Sequence, residues 1–202
     1  MGSSALAKMV FQKQTDTERL VVLANDDGTG QKVISDPSLD TYHPEISSSG
    51  RYVAYTLGQI KQGKKVNVEL VIKDLKTEVL EIWTPKGNQY IHAEFSGNDR
   101  YLALSAANPT NLNQNIQWID LVNERKKGPA TIKVINGVET HLYHPQVNMI
   151  ESNYDCYAPT VASDGSFIIY HRTLKKNDKT APKQLVLYDL STKTKTELTN
   201  IN

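Results

Sequence analysis

The chain has few of the residues and motifs that mark particular functions, and each shortage excludes something. Cys156 is the single cysteine among 202 residues, so an internal disulfide and a zinc site built from several cysteines are excluded. Three phenylalanines and two tryptophans indicate no stacking surface for single-stranded nucleic acid. No segment approaches the roughly 20 apolar residues of a membrane span. No apolar core of signal-peptide length is visible either, so we expect a cytoplasmic protein or one whose signal peptide is removed or left out.

Charge and missing motifs exclude further classes of function. The 23 basic and 22 acidic residues give a net charge of +1, which creates no overall attraction to nucleic acid or to an anionic membrane. The motifs G-x-S-x-G and H-E-x-x-H and the Gly-rich phosphate-binding motifs do not occur. The sequence therefore predicts a globular protein without a hydrolase domain and without a cofactor.

What the sequence does contain is an internal repeat. Three segments align without gaps: HPEISSSGRYVAY at residues 43–55, HAEFSGNDRYLAL at residues 92–104 and APTVASDGSFIIY at residues 158–170. Each has a short strand pattern, a turn rich in Ser, Gly, Asn or Asp, and then an apolar strand. Two strands joined by such a turn are the signature of a β-hairpin.

Each hairpin is followed by two more predicted strands. The third strand ends in an aspartate, in LVIKDL, IQWIDL and LVLYDL, and this carboxylate is predicted to accept backbone N–H bonds in the next turn. The fourth strand is predicted at residues 78–83, 130–135 and 194–199. Four antiparallel strands in each repeat predict an all-β fold, a β-propeller, because such a unit is one propeller blade.

The repeats divide the chain into four blades of a partial propeller, predicted as one domain over residues 1–202. The predicted blades are 5–41, which lacks its inner strand, 42–90, 91–156 and 157–202. The aligned turn positions Asn25, Asp74, Asp120 and Asp189 lie 49, 46 and 69 residues apart. The longest spacing contains an insertion at residues 136–156, predicted to be functional or to form a small hairpin. We expect its removal to leave the repeat core in place.

The hairpin motif, approximately P-x-x-S-x-D-G-x-x-I-A-(Y/F), resembles the repeat of TolB-like and WD-repeat-like propellers. Residues 158–170 are most similar to it, and residues 92–104 depart most, with Ala93 for the proline and Asp99 for the glycine. The resemblance implies a ring of six or more blades. We therefore expect either a fragment of a longer protein or self-association that completes the ring. It also implies a periplasmic location, since this repeat occurs in the protein of the Tol–Pal envelope system.

Two histidines and two glutamates occupy matching repeat positions at the start of predicted inner strands. We call His43, Glu45, His92 and Glu94 the channel-mouth residues, because inner strands begin at one mouth of a propeller's channel. Histidine and carboxylate suit a divalent metal, and lyases that share the repeat bind metal with channel histidines. The alternative is that the imidazoles bond backbone where the strand begins. The sequence favours the second interpretation, so we predict no metal and treat the four as ligand-binding residues.

The insertion supplies a second set of candidate binding residues, His141, Tyr143 and His144. A metal held by these histidines and Cys156 is the alternative to ordinary surface histidines. Together the patterns predict a non-catalytic scaffold that binds a protein or peptide and neither binds nucleic acid nor spans a membrane. The alternatives are a propeller enzyme such as a metal-dependent oligogalacturonate-lyase-like protein, or the propeller domain of a prolyl-oligopeptidase-type peptidase.

Overall fold

The computed structural model describes residues 8–61, 64–84, 89–107, 114–176, 178 and 180–199, and these residues are mostly in strands. The elements in chain order are β1 (Lys8–Gln14), β2 (Arg19–Asn25), β3 (Lys32–Val33), β4 (Asp40–Ile46), β5 (Tyr52–Lys61), β6 (Lys64–Asp74), β7 (Leu80–Trp83), β8 (Gln89–Phe95), β9 (Tyr101–Ala107), β10 (Gln114–Asp120), α1 (Leu121–Lys127), β11 (Thr131–Ile135), β12 (Val138–Tyr143), β13 (Asn148–Glu151), β14 (Cys156–Val161), β15 (Phe167–Thr173), β16 (Lys183–Asp189) and β17 (Lys195–Glu197).

The described residues form four separate sheets, and strands of the second and third alternate along the chain. Their strand orders are β1-β2-β3, then β4-β5-β6-β7-β12-β11, then β8-β9-β10-β13, and finally β14-β15-β16-β17. The inner strand β4 contacts β8, and β8 contacts β14, as expected of neighbouring blades. Among the described residues, the first sheet has three strands and no inner one. Within the described ranges no sheet closes on itself, and the predicted all-β partial propeller is confirmed.

The same hairpin turn is built three times, as the repeat predicts. Each turn contains one residue with a left-handed backbone: Gly50 with a φ of 69°, Asp99 with 55° and Gly165 with 76°. Glycine adopts this region without steric cost and aspartate tolerates it, which explains why Asp99 replaces glycine there. Neighbouring turns also bind each other: Ser49 Oγ donates to Asp99 Oδ2. The turns of successive blades therefore meet at one end of the sheets.

The aspartates that end the third strands have the predicted structural role. Asp74 Oδ1 accepts from Lys76 N at 2.8 Å, and Asp189 Oδ1 accepts from Ser191 N at 2.8 Å. In the third blade the same position caps a helix instead, because Asp120 Oδ1 accepts from the N–H of Asn123, at the third position of α1, at 3.0 Å. The helix carries the chain away from the blade where a turn and an outer strand were expected.

The prediction that residues 130–135 form the fourth strand of the third blade is wrong. This segment is β11, which pairs with β12, and β12 runs parallel to β7 on the outer edge of the second blade. The outer strand of the third blade is instead β13, inside the predicted insertion. The expectation that the insertion can be removed without damage to the repeats is therefore also wrong, because β12 and β13 both belong to blade sheets.

The side chains explain why β13, and not β11, is the outer strand of the third blade. Every residue of β11 is exposed, so this strand covers no core, whereas β13 places the buried Ile150 between the third and fourth blades. At the end of β12, Tyr143 stacks on Trp83 with ring centroids 4.5 Å apart and planes within 10°. This stacking fixes the hairpin of β11 and β12 to the second blade.

The core lies between the blades. Trp83, Tyr90 and Leu102 are fully or almost fully buried between the second and third blades, and Ile168 and Tyr170 between the third and fourth. A third cluster between the first and second blades contains Val21, Ile34, Val53, Tyr55 and Val71. Each blade is thus stabilised by apolar contact with its neighbours, which holds the inner strands in position.

Candidate functional site

The structure brings the two predicted channel-mouth histidines together. The rings of His43 and His92 lie edge to face with centroids 6.0 Å apart. His43 occupies a bulge of β4, where the pairing register with β5 shifts between Tyr42 and Glu45, and its φ is 49°. Its Nδ1 lies 2.9 Å from the carbonyl oxygen of Ile91 at the next blade, so this imidazole bonds backbone where the strand begins.

Glu94 lies close enough to Glu45 to affect its pKa. Burial, and then the charge of Glu94, raise the pKa of Glu45 to about 7. Glu94 accepts a hydrogen bond through Oε1 from Thr160 Oγ1 on β14, at the repeat position of both glutamates. Burial and the neighbouring His43 lower the pKa of His92. Three successive inner strands thus place hydrogen-bonding side chains in one group.

The described contacts of this group are hydrogen bonds. In the ranges that the structure describes, no three His, Cys, Asp or Glu side chains are placed so that they could share one metal ion. His43 Nδ1 is engaged with backbone, and Glu94 bonds Thr160. The chemistry available is donation and acceptance of hydrogen bonds, with a Glu45 carboxyl that changes charge near neutral pH.

The three candidate residues of the insertion have different surroundings. His141 Nε2 lies 2.6 Å from Glu139 Oε1 on the same strand, and His144 is exposed beyond the end of β12. Tyr143 is only 5% exposed because its ring stacks on Trp83, so it holds the hairpin and presents little surface to a ligand. The remaining metal candidate, Cys156, is fully buried, and burial raises the pKa of its thiol.

A surface that sequence reasoning missed lies along β11. Ile132, Val134 and Ile135 are 58%, 73% and 42% exposed, and β11 is the last strand of its sheet. Its hairpin turn is Asn136-Gly137, with φ values of 51° and 79°. An Asn-Gly pair between two short β-rich segments is a strong hairpin signal, and this signal could have revealed that β11 pairs with the segment that follows it.

Solved structures share this arrangement of strands. TolB from Acinetobacter baumannii gives a TM-score of 0.65 at 18% identity, covering 96% of this chain and 41% of that chain. A putative TolB from Agrobacterium tumefaciens gives 0.67 at 13% identity, covering 96% and 61%. The fold is that of a TolB-like β-propeller. The β-propeller domain of the Trilobed protease from Pyrococcus furiosus also shares it, with a TM-score of 0.57, 11% identity and coverage of 96% and 53%.

The TolB-like resemblance predicted from the hairpin motif is therefore confirmed at the level of the fold. The low identities carry no activity from these proteins to this one. The chain spans between 41% and 61% of the length of these three solved structures. Neither a family model nor a curated protein matches the sequence. The described part of the chain has no helix long and apolar enough to cross a membrane.

Proposed function

We propose that the chain is a non-catalytic TolB-like binding scaffold that captures a protein or peptide partner in the periplasm of a bacterial cell. The observation that carries this proposal is β11, an edge strand without a second neighbour among the described residues and exposed on both faces. Unpaired strand edges bind extended segments of other chains, which add to the sheet as a further strand. The periplasmic location rests on the resemblance to TolB-like propellers.

The geometry of the hairpin identifies which backbone groups a partner would bind. Ile135 and Val138 flank a two-residue turn and are paired across it, so both of their N–H···O bonds run between β11 and β12. Bonding alternates along an antiparallel strand. The N–H and C=O groups of Ile132 and Val134 therefore point away from β12, toward an added strand.

The side chains along this edge favour an apolar partner. Ile132 and Val134 project from the same face of the sheet, because residues two apart on a strand share a face. Opposite them on β12 lie His141 and Glu139. An extended segment with an apolar residue beside Val134 and polar residues at its rim would bury the most exposed aliphatic side chain of the hairpin.

A peptide library tests this proposal with a matched pair of variants. Random peptides displayed on phage are selected against the full chain, and the binders are measured by calorimetry. Val134→Pro removes one outward N–H without breaking a bond to β12, whereas Val134→Thr keeps that N–H and the β-branched shape. We expect selected peptides to bind Val134→Pro about tenfold more weakly, since one or two backbone bonds are lost, and to bind Val134→Thr within about threefold of the native chain.

Two outcomes would contradict binding at this edge. One is that no peptide is enriched in the selection. The other is that the enriched peptides bind Val134→Pro normally and are lost in His43→Ala, which would place the binding surface at the channel-mouth residues. Circular dichroism of each variant verifies that the sheets remain intact.

A further inference from the structure

A cavity of about 380 Å³ lies between the first blade, the second blade and the inserted hairpin. One wall is a face of the second sheet, where Tyr55, Val71 and Ile82 lie side by side on neighbouring strands. The segment after β3 forms the opposite wall with Ile34 and its neighbours. A volume of this size is within the range of pockets that hold small molecules, roughly 300 to 1,000 Å³.

The cavity exists because the outer strand of the first blade is short. β3 has two residues, Lys32 and Val33, which pair with β2, and Ile34 N adds one backbone bond to Val21 O. It therefore covers less of the second blade's face than a full strand would. The hairpin borders another side, where Ile135 and Val138 reach the cavity.

The tip of the hairpin is fixed to the first blade across this space. Asn136 Nδ2 donates to Asp36 Oδ2 at 3.0 Å, and both residues line the cavity. The hairpin thus contacts two blades, one through the Trp83–Tyr143 stack and the other through this hydrogen bond. The space is therefore bordered by defined elements of the fold rather than by a loose end.

The charged residues that line the cavity already have partners, an ion pair for Lys73 and hydrogen bonds for Asp36. Lys73 is 8% exposed, and its Nζ lies 2.8 Å from Glu78 Oε2. The Asp36 carboxylate accepts from Ser38 and from Asn136. An anionic ligand would have to lose its water without finding an unpaired cation, which is costly. A neutral ligand meets aliphatic walls and, at Ser35, Thr41 and Thr140, groups that can form a hydrogen bond.

We propose that this cavity binds a neutral, mostly aliphatic small molecule that carries one hydroxyl or carbonyl group. If each non-hydrogen atom takes about the 30 Å³ of a liquid water molecule, the cavity accommodates roughly 12 such atoms. This proposal is independent of peptide binding at β11, since it uses the inner side of the hairpin and the face of the second blade.

The test uses 1-octanol as the probe and the full chain labelled with carbon-13 at methyl groups. We expect a dissociation constant below about 1 mM and intermolecular nuclear Overhauser effects from octanol to the methyl groups of Ile82 and Val138. Octanoate has the same length but is charged at pH 7.5. It should bind at least about tenfold more weakly because its charge finds no free partner.

Two tryptophan variants distinguish the cavity from other sites. Val138→Trp fills the space from the hairpin side and should abolish octanol binding. Val122→Trp makes the same change on α1, outside the cavity, and should leave binding unchanged. Ile82→Trp fills the space from the opposite wall and replaces Val138→Trp if that variant does not fold.

The proposal is overturned by any of three results. The native chain could fail to bind octanol up to the solubility limit of the alcohol. The Overhauser effects could map to methyl groups outside the cavity. Octanoate could bind as tightly as octanol, which would show that the site does not select for neutral molecules.

Discussion

The two interfaces of the second blade are made by the same repeat and packed to different degrees. Toward the third blade, Trp83, Tyr90 and Phe95 fill the space with aromatic side chains, and the buried Tyr143 adds to them from the hairpin. Toward the first blade, smaller side chains such as Val21 and Ile34 meet the same sheet and leave a cavity. A repeat therefore fixes strand pairing but does not by itself fix how completely neighbouring blades pack.

The largest expected effect comes from opening the well-packed interface. Trp83→Ala removes a fully buried ring and the surface on which Tyr143 stacks. We expect the free energy of unfolding to fall by about 3 to 5 kcal/mol, since the transfer and cavity costs add. Urea unfolding followed by circular dichroism measures this loss.

The control for this prediction lies at the other interface. Val33→Ala removes methyl groups from a side chain that is 43% exposed and already borders the cavity. It should lower the free energy of unfolding by less than about 1 kcal/mol. Equal losses in the two variants would contradict the difference between the interfaces.

The hydrogen bond between the hairpin and the first blade gives the next largest effect. Asn136 combines a left-handed backbone, with a φ of 51°, and a bond to Asp36. Asn136→Ala loses the bond and places an unfavourable residue in that conformation, so we expect destabilisation by about 1 to 2 kcal/mol. Asn136→Gly loses only the bond and should cost less. If Gly costs as much as Ala in thermal unfolding, backbone conformation has no part in the effect.

Some features of the fold could be predicted from the sequence because they depend on neighbouring residues or on the repeat. The hairpins and the aspartate turns depend on residues a few positions apart, such as Ser47 and Gly50, so the repeat predicts them. The contact of His43 with the His92 strand followed from the same alignment. These features depend on neighbouring residues or recur at the same position of each repeat.

The errors have a different origin. Residues 130–135 alternate like an outer strand, and nothing local shows that β12 will prefer β7 of the preceding blade. That preference depends on Tyr143 meeting Trp83 across a separation of 60 residues. The helix had a local signal, since Asp120 precedes a run containing Glu and Lys that favours helix, but the blade pattern masked it. The cavity depends on the length of β3, which the sequence pattern does not determine.

A smaller effect concerns the channel-mouth residues and depends on pH. The pKa of Glu45 is raised from 4.5 to about 7, so the folded state holds this proton more tightly than the unfolded state. Stability from this group is therefore present below about pH 4.5 and is lost as pH rises through about 7. Because the side chain is partly solvated, we expect a loss of about 1 kcal/mol rather than the full linkage value. Urea unfolding between pH 4.5 and 8 measures it.

Two variants sharpen this pH prediction. Glu45→Gln cannot lose a proton and should remove this part of the pH dependence. Glu94→Gln removes the second cause of the shift and should lower the pKa of Glu45, measured by NMR of its side-chain carboxyl carbon. An unchanged pKa in Glu94→Gln would show that burial alone raises it.

The smallest effect on stability is expected at the exposed edges, where the consequence is association. The inner edge of β1 has no partner strand among the described residues, and β11 has none on its outer side. The edge of β1 carries Lys8 and Lys13, whereas β11 has only Lys133 beside its exposed aliphatic residues. Charged residues on an edge hinder pairing with another chain, so β11 is the edge more open to self-association.

Val134→Lys adds a charge to β11 and should change the free energy of unfolding by no more than about 0.5 kcal/mol, because the side chain is 73% exposed. At micromolar concentration we expect light scattering to show particles heavier than the chain mass of 22.6 kDa for the native protein. Particle mass should fall toward that value in Val134→Lys. If Met9→Lys lowers the mass and Val134→Lys does not, association occurs through the edge of β1. A native chain that stays at 22.6 kDa would contradict association through either edge.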